Sequence, residues 1–293
     1  MGESKKIDQR QSLRVVTDNS VINAEDLATL SLNARKLLYI AIAQCKMSDS
    51  EFYEYETTPA ELADIWGITR SNVYRESDNI TSELMKTVIR LPDGVRGYKK
   101  RHLFEICDYN DDSVVKFKLN KEMTNKLLGL EKDFSKPLMW DFMRMRSPYS
   151  ISIWHLMQME MKSFKPMMSA PIEFDLSLEE LRRVTGTEKK LKQVGQFKER
   201  VLDKAIEEIR KNCWTDISYV NIKKGRVVTG FRFTAKSIMG NIKMDDLSFR
   251  QQKQARKAML IHKKAEGTLT PLEYNELQEL ISELSQMSIE DYM

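Results

Sequence analysis

Lys223, Lys224 and Arg226 stand within four residues, KKGR, between the alternating runs DISYVNI and VVTGFRFTA. Cations on a turn between two strands are placed to meet phosphate oxygens. A second set precedes them. Lys189, Lys190, Lys192, Gln193, Gln196, Lys198, Arg200 and Lys204 lie in TEKKLKQVGQFKERVLDKAIEEIRKN, whose pattern reads as one long basic helix. A helix fits the DNA major groove, where Arg pairs with guanine O6 and N7, and Gln with adenine N6 and N7. Arg200 and Gln196 are the candidates for those two roles. A sparser set occurs earlier: Arg70, Ser71, Asn72, Tyr74 and Arg75, with Lys99, Lys100 and Arg101 nearby. The chemistry is recognition of a polyanion. A Lys-rich helix that is merely a solvated face is the plain alternative.

Bond-breaking chemistry finds few residues to use. No glycine-rich loop ends in Gly-Lys-Ser or Gly-Lys-Thr, so no P-loop is expected. The three histidines, His102, His155 and His262, are not paired locally, which leaves out the two-His metal site of a strand-nicking enzyme. None of the ten tyrosines has an evident activating partner. Cys45, Cys107 and Cys213 are scattered and odd in number, against a disulfide scaffold or zinc cluster and in keeping with a reducing cytoplasm. The chain is therefore expected not to be an enzyme and to need no cofactor or metal. The longest apolar run, LLYIAIA, is far short of the ~18 residues of a membrane span. MGESKKIDQRQS has no apolar segment behind its charges, and its sixth residue is Lys, a poor myristoylation match. No membrane partner is expected, and the location is expected to be cytoplasmic.

Net charge is only +4, but it is unevenly spread. Residues 223–236 hold five basic and no acidic residues, 248–265 six basic and none acidic, and 266–293 seven acidic and none basic. Such asymmetry suggests phosphate-facing surfaces and an oppositely charged tail.

The elements that must position these residues occur twice. Thr58, Pro59 and Glu61 start a short helix as N-cap, first residue and capping-box partner, and Gly67 ends it. Ser177, Glu180 and Gly186 do the same about 119 residues later, with Leu62 and Leu181, then Ile65 and Val184, at matching offsets. A longer helix follows each, the first from about Thr69 to Lys86. Then come two strands: HLFEICDY and SVVKFKL in the first copy, DISYVNI and VVTGFRFTA in the second, where Gly225 suits the turn. LSLNARKLLYIAIAQCK and SPYSISIWHLMQMEMKS are the helices standing before the two copies. The repeated unit is a winged helix-turn-helix: a bracing helix, a reader helix and a two-stranded wing. Eight of the seventeen methionines fall between Met139 and Met168, near the seam at Arg144–Ser150. They read as adaptable core filling, or as a seam that repacks between assembly states. Two more helices are expected beyond Ile238, capped by Ser248 with Gln251 and by Thr270 with Glu273. Leu277, Leu280, Ile281 and Leu284 stripe the last one with apolar surface that needs a cover.

LSLNARKLLYIAIAQ, SPYSISIWHLMQ and, above all, FKERVLDKAIEEI followed by a strand and KKGR resemble the replication initiator (Rep) proteins of iteron-containing bacterial plasmids. The resemblance covers roughly residues 20–236. It implies two winged-helix domains related by pseudo-symmetry. It implies monomers that bind double-stranded direct repeats, the iterons, at a plasmid origin and help to open it. Dimers of the same chain would repress its own gene and so serve copy control. The host chromosomal initiator and the replicative helicase are the implied protein partners. A plain transcriptional repressor is the alternative, which origin complementation in trans would separate. A single-strand nicking enzyme and a protein-binding scaffold are the more distant readings. The expected architecture is α+β: residues 1–20 a flexible N-terminus, 21–146 the first winged-helix domain, 147–238 the second, and 239–293 a helical tail, basic then acidic.

Overall fold

Two reciprocal caps start the two bracing helices. Thr58 Oγ1 accepts from the Glu61 amide at 3.2 Å while Glu61 Oε2 accepts from the Thr58 amide at 2.8 Å. Ser177 and Glu180 repeat this at 3.1 and 3.0 Å. Each helix ends on a left-handed glycine, Gly67 at φ 61° and Gly186 at φ 62°, which satisfies its last carbonyls. The computed structural model describes residues 4–10, 12–46, 48–110, 112–161, 170–238 and 249–290, with side chains throughout except at 249–252 and 285–290.

The first copy contains β1 (Lys5–Lys6), β2 (Thr17–Asp18), α1 (Asn19–Ile22), a 3-10 turn (Glu25–Thr29), α2 (Leu32–Ala43), β3 (Tyr55–Thr57), α3 (Pro59–Trp66) and α4 (Arg70–Lys86). It continues with β4 (Val88–Asp93), β5 (Gly97–His102), β6 (Phe104–Tyr109), β7 (Val115–Leu119), α5 (Thr124–Leu127), β8 (Phe134–Ser135) and α6 (Met139–Met143). The second contains α7 (Pro148–Glu160), β9 (Ile172–Ser177), α8 (Leu178–Thr185), α9 (Val194–Phe197), a π-turn (Lys198–Leu202), α10 (Asp203–Asn212), β10 (Thr215–Lys224) and β11 (Val227–Ser237). Helices α11 (Phe249–Ala265) and α12 (Pro271–Glu290) follow.

The main sheets are ordered β1-β3-β7-β6 and β10-β11-β9. Both wings therefore gain a third strand from the residues just before the bracing helix, β3 or β9, where two strands were expected. In IEFDLS, alternation explains it: Phe174 stacks on Phe233 of β11 at 5.5 Å, and Leu176 is buried. The first copy also has an inserted hairpin, β4–β5, between α4 and its wing. The expected flexible N-terminus is instead tied down over much of its length. Lys5–Lys6 pair with Tyr55–Glu56 and Thr17–Asp18 with Phe134–Ser135, because Ile7 and Val15 bury their side chains.

One continuous apolar core runs from Ile7 to Ala235 and takes in both copies. Met139, Met143, Met145 and Met157 are wholly buried in it, so the seam methionines fill core; Met167 and Met168 lie outside the described residues. The apolar stripe of α12 is covered by α11: Leu277 and Leu280 pack with Leu260. Charge follows the same pairing. Lys253 meets Glu283 at 2.7 Å, Arg256 meets Glu276 at 2.7 Å, and Lys263 meets Glu273. The basic stretch 248–265 thus spends three of its six cations on the acidic helix beside it. The Thr270–Glu273 cap forms; the Ser248 cap lies outside the described residues.

Candidate nucleic-acid interface

In the second copy, the reader helix starts later than its sequence pattern indicates. Residues 187–193 form a turn, and Leu191 sits at φ 51°. Lys189, Lys190 and Lys192 lie on this turn and Gln193 is the helix N-cap, so none of the four presents itself from the helix. All four are exposed. The cause is Arg182 of α8. Its guanidinium donates to the carbonyls of Thr187 (3.2 Å), Lys190 (3.1 Å), Leu191 (3.0 Å) and Lys192 (3.0 Å), and lies 5.1 Å from the Phe197 ring. A planar donor fork suits such convergent carbonyls, which the helix would otherwise have kept for its own amides.

From Val194 to Asn212 the backbone is continuous through the π-turn. Phe197, Val201, Leu202, Ala205, Ile206 and Ile209 are buried, while Gln196, Arg200 and Lys204, four apart, are exposed. A helix this amphipathic has one face in the core and one for solvent or a partner. Lys198 is half-buried, its ammonium 5.2 Å from the Tyr219 ring of β10, so it packs against the wing. At the wing tip Lys223, Lys224 and Arg226 flank Gly225 and are exposed. Lys189, Lys190, Lys192, Arg200, Lys204, Lys223, Lys224 and Arg226 enter no ion pair among the described residues.

The first copy brings its set together less completely. Arg70, Ser71, Asn72, Tyr74 and Arg75 are exposed on the first turns of α4, opposite buried Val73, Ser77 and Ile80. Arg70 is paired with Asp64 at 3.0 Å, and Arg75 donates to Asn72 Oδ1 at 3.1 Å. Lys99, Lys100 and Arg101 are on β5 of the inserted hairpin, not on the wing. That hairpin's base follows the far end of α4, roughly 24 Å from Arg70 along the axis at ~1.5 Å per residue. Lys99 pairs with Asp93 at 3.0 Å and Arg101 with Glu122 at 2.6 Å, leaving Lys100 as the one of the three with no ion pair among the described residues.

Buried titratable groups sit behind both readers. Burial pushes the Lys36 amine down to about 7, helped by nearby Arg146, and Lys36 donates to the Met143 carbonyl at 2.7 Å. Burial, then Arg35, pushes His155 down to about 3; its ring meets Tyr39 Oη at 2.6 Å and Ser135 Oγ at 2.9 Å. Burial raises the Cys45 and Cys107 thiols to about 12, so neither is a ready nucleophile.

Two family models match the chain. One, described as "Initiator Replication protein, WH1", spans residues 14–158. The other, described as "Initiator Rep protein, WH2", spans residues 177–235. The chain belongs to the initiator replication protein family. Together the two models take in both winged helix-turn-helix units, and they stop before α11 and α12. Among curated proteins, this initiator is 25% identical over 241 residues to the "PI protein" of Escherichia coli, covering 71% of this chain and 78% of that one. Among solved structures, it matches the crystal structure of Pi initiator protein in complex with iteron DNA. That match has a TM-score of 0.67 and 21% identity, covering 78% of this chain and 98% of that one. The initiator fold is thus shown as two winged helices with mixed helix and strand.

Sequence reasoning missed Arg182, Arg146 and Glu208 in this initiator. Arg182 looks like one more surface cation in LEELRRV, and only the folded turn reveals its four carbonyls. Among the described residues, no helix is long and apolar enough to cross a membrane.

Proposed function

We propose that this initiator binds double-stranded direct repeats at a plasmid origin, one chain per asymmetric site, in the cytoplasm. The carrying observation is the pair of capped helix-turn-helix units held in one core, the second with exposed cations on its turn, reader helix and wing tip that enter no ion pair among the described residues. In this reading residues 21–146 and 147–238 are the two reading units. Gln196 and Arg200 contact base edges. Lys189, Lys190, Lys192, Lys204, Lys223, Lys224 and Arg226 hold phosphates. Arg70, Ser71, Asn72, Tyr74 and Arg75 make the first unit's contacts, with Lys100 as an outlying phosphate ligand.

Two reader helices on one chain suit two successive major grooves on one face of the duplex, ~34 Å apart. A chain with distinct ends has a polarity, so direct repeats rather than palindromes are its natural targets. Repeat-bound monomers help to open adjacent A·T-rich DNA by bending and clustering, dimers repress the initiator's own gene, and the host initiator and helicase join the opened origin. The relative solved in complex with iteron DNA supports the repeat binding on which these steps depend.

The test is selection of bound duplexes from a random library, followed by salt titration of the winning site. An asymmetric consensus of about two helical turns is expected, with a steep salt slope. Replacing Lys223, Lys224 and Arg226 by Ala should flatten that slope by ~1 for each phosphate no longer neutralised. No consensus, or a slope indifferent to those cations, overturns the reading.

A further inference from the structure

The six residues 143–148, from the end of α6 to the start of α7, receive bonds from both units. Lys36 of α2 donates to the Met143 carbonyl at 2.7 Å, and Arg35 donates to the Pro148 carbonyl at 3.0 Å. Glu208 of α10 accepts from two consecutive amides, Arg146 at 2.9 Å and Ser147 at 3.2 Å. The Arg146 side chain then donates to the Gly67 carbonyl at 2.7 Å, in the turn three residues before α4 starts. Arg144 closes over the same glycine: a Cβ built on Gly67 would lie 1.7 Å from its guanidinium.

A direct line therefore joins the two readers: α10, Glu208, the Arg146 backbone, the Arg146 guanidinium, Gly67, α4. Glu208 is on the reader helix of the second unit, three turns past the exposed Gln196. Gly67 is the hinge of the first unit's reader. A carboxylate on two amides and a guanidinium on a carbonyl are charge-assisted bonds, stronger and more directional than neutral ones. The end of α1 adds a second tie between the units, where Arg183 donates to Oδ1 of Asn23, the C-cap of α1, at 3.3 Å.

We infer that the Glu208–Arg146–Gly67 line is a ruler that fixes the offset between the two reader helices, and thereby the spacing of the two half-sites that one chain accepts. This rests on the reading of the chain as a two-unit DNA binder. Glu208 and Arg146 are positioning residues in it and touch no base. Each base pair added between the half-sites moves one half-site by ~3.4 Å along the duplex and rotates it by ~35°. A fixed offset cannot follow that movement, whereas a loosened one can.

The experiment uses the full chain, its selected site, and two derivatives of that site with one base pair inserted or removed between the half-sites. The wild type should bind the derivatives ~100-fold more weakly than the selected site, each misplaced group adding to the penalty. Arg146→Ala and Glu208→Gln should bind the selected site within ~10-fold of wild type, yet weaken only ~10-fold further on the derivatives. Arg146→Lys retains a donor and should restore most of the wild-type penalty. Arg146 is exposed, so its substitution leaves no buried charge; a melting curve like that of the wild type checks that each variant folds. If the variants keep the full spacing penalty, or the wild type tolerates both derivatives, the ruler is overturned while DNA reading stands. A wild type that selects no duplex overturns DNA reading and the ruler with it.

Discussion

The two reader units begin alike and are braced differently. Both open on a capping box and bend on a left-handed glycine. In the first unit the turn is short, reaches α4 within three residues, and is held from outside by Arg146 and Arg144. In the second the turn runs to residue 193 and is held from inside by Arg182. A short turn leaves few backbone groups free, so a neighbour can fix it with one bond. A long turn points several carbonyls inward, and each needs a donor if it is not to be stranded. The charges differ in the same sense. Among the described residues the first unit pairs Arg70, Lys99 and Arg101 with acids of its own. The second pairs the wing-strand Arg232 with Asp175 but leaves Lys189, Lys190 and Lys192 of its turn and Lys223, Lys224 and Arg226 of its wing tip without ion pairs. The same fold thus neutralises much of its basic set internally in one copy, and in the other is a basic unit clamped from within.

The sharpest way to break this contrast is Arg182→Met. It keeps a long apolar stem against Phe197 and strands four carbonyls. The selected duplex should bind ~100-fold more weakly, about 3 kcal/mol, as the turn that carries Lys189, Lys190 and Lys192 loosens. Hydrogen exchange should speed up at residues 187–193 and stay unchanged at 67–70. Unchanged affinity and exchange would mean that the long turn holds itself.

The central helices offer the next comparison. α2 buries Lys36, with its amine near 7, and α7 buries His155, with its imidazole near 3. Both folded values are depressed, so in each case the unfolded chain binds the extra proton between the folded and the ordinary value. Stability therefore rises with pH from about 3 to ~6.5 through His155, and again from about 7 to ~10.4 through Lys36. Each contribution has a slope of up to ~1.4 kcal/mol per pH unit inside its window. Urea unfolding should show Lys36→Met losing the slope between pH 7 and 9 while keeping the acid limb. His155→Gln should do the reverse. A shared loss in both windows would mean that the two buried groups are not independent.

What was legible in the sequence was local. Thr58 with Glu61 and Ser177 with Glu180 form their caps with residues three positions away, so spacing alone reveals them. The start of the second reader was not legible, because TEKKLKQVGQ has good helix formers throughout and only Arg182, folded back from α8, turns its carbonyls away from a helix. The inserted hairpin carried a turn signal, Asp93-Gly94, but YKKRH beside it reads as a polar loop until Ile89 and Leu91 are seen buried. Strands β3 and β9 are short and gain their pairing from partners 60 residues onward. The free or paired state of each cation is likewise tertiary: Lys223 and Lys253 look alike in sequence, yet the latter meets Glu283 on a neighbouring helix.

The smallest expected effect tests where the bracing comes from. Alanine at Gly67 or Gly186 must adopt a left-handed backbone, which costs ~1–2 kcal/mol at either site. The neighbours then separate the two. At Gly186 the new Cβ would meet Ala28 Cβ at 3.1 Å, a clash that no flexible side chain can relieve. At Gly67 it would collide with the end of Arg144, which can swing aside but must leave its place over the turn. Adding Arg144→Ala should therefore lower the stability cost of Gly67→Ala to the backbone cost alone, and leave that of Gly186→Ala unchanged. Thermal unfolding of the two double-mutant cycles measures this. Coupling at Gly67 and none at Gly186 means that the first turn is braced from the seam. Equal coupling at both would mean that the two turns share one support, and the contrast between an outside and an inside brace would fail.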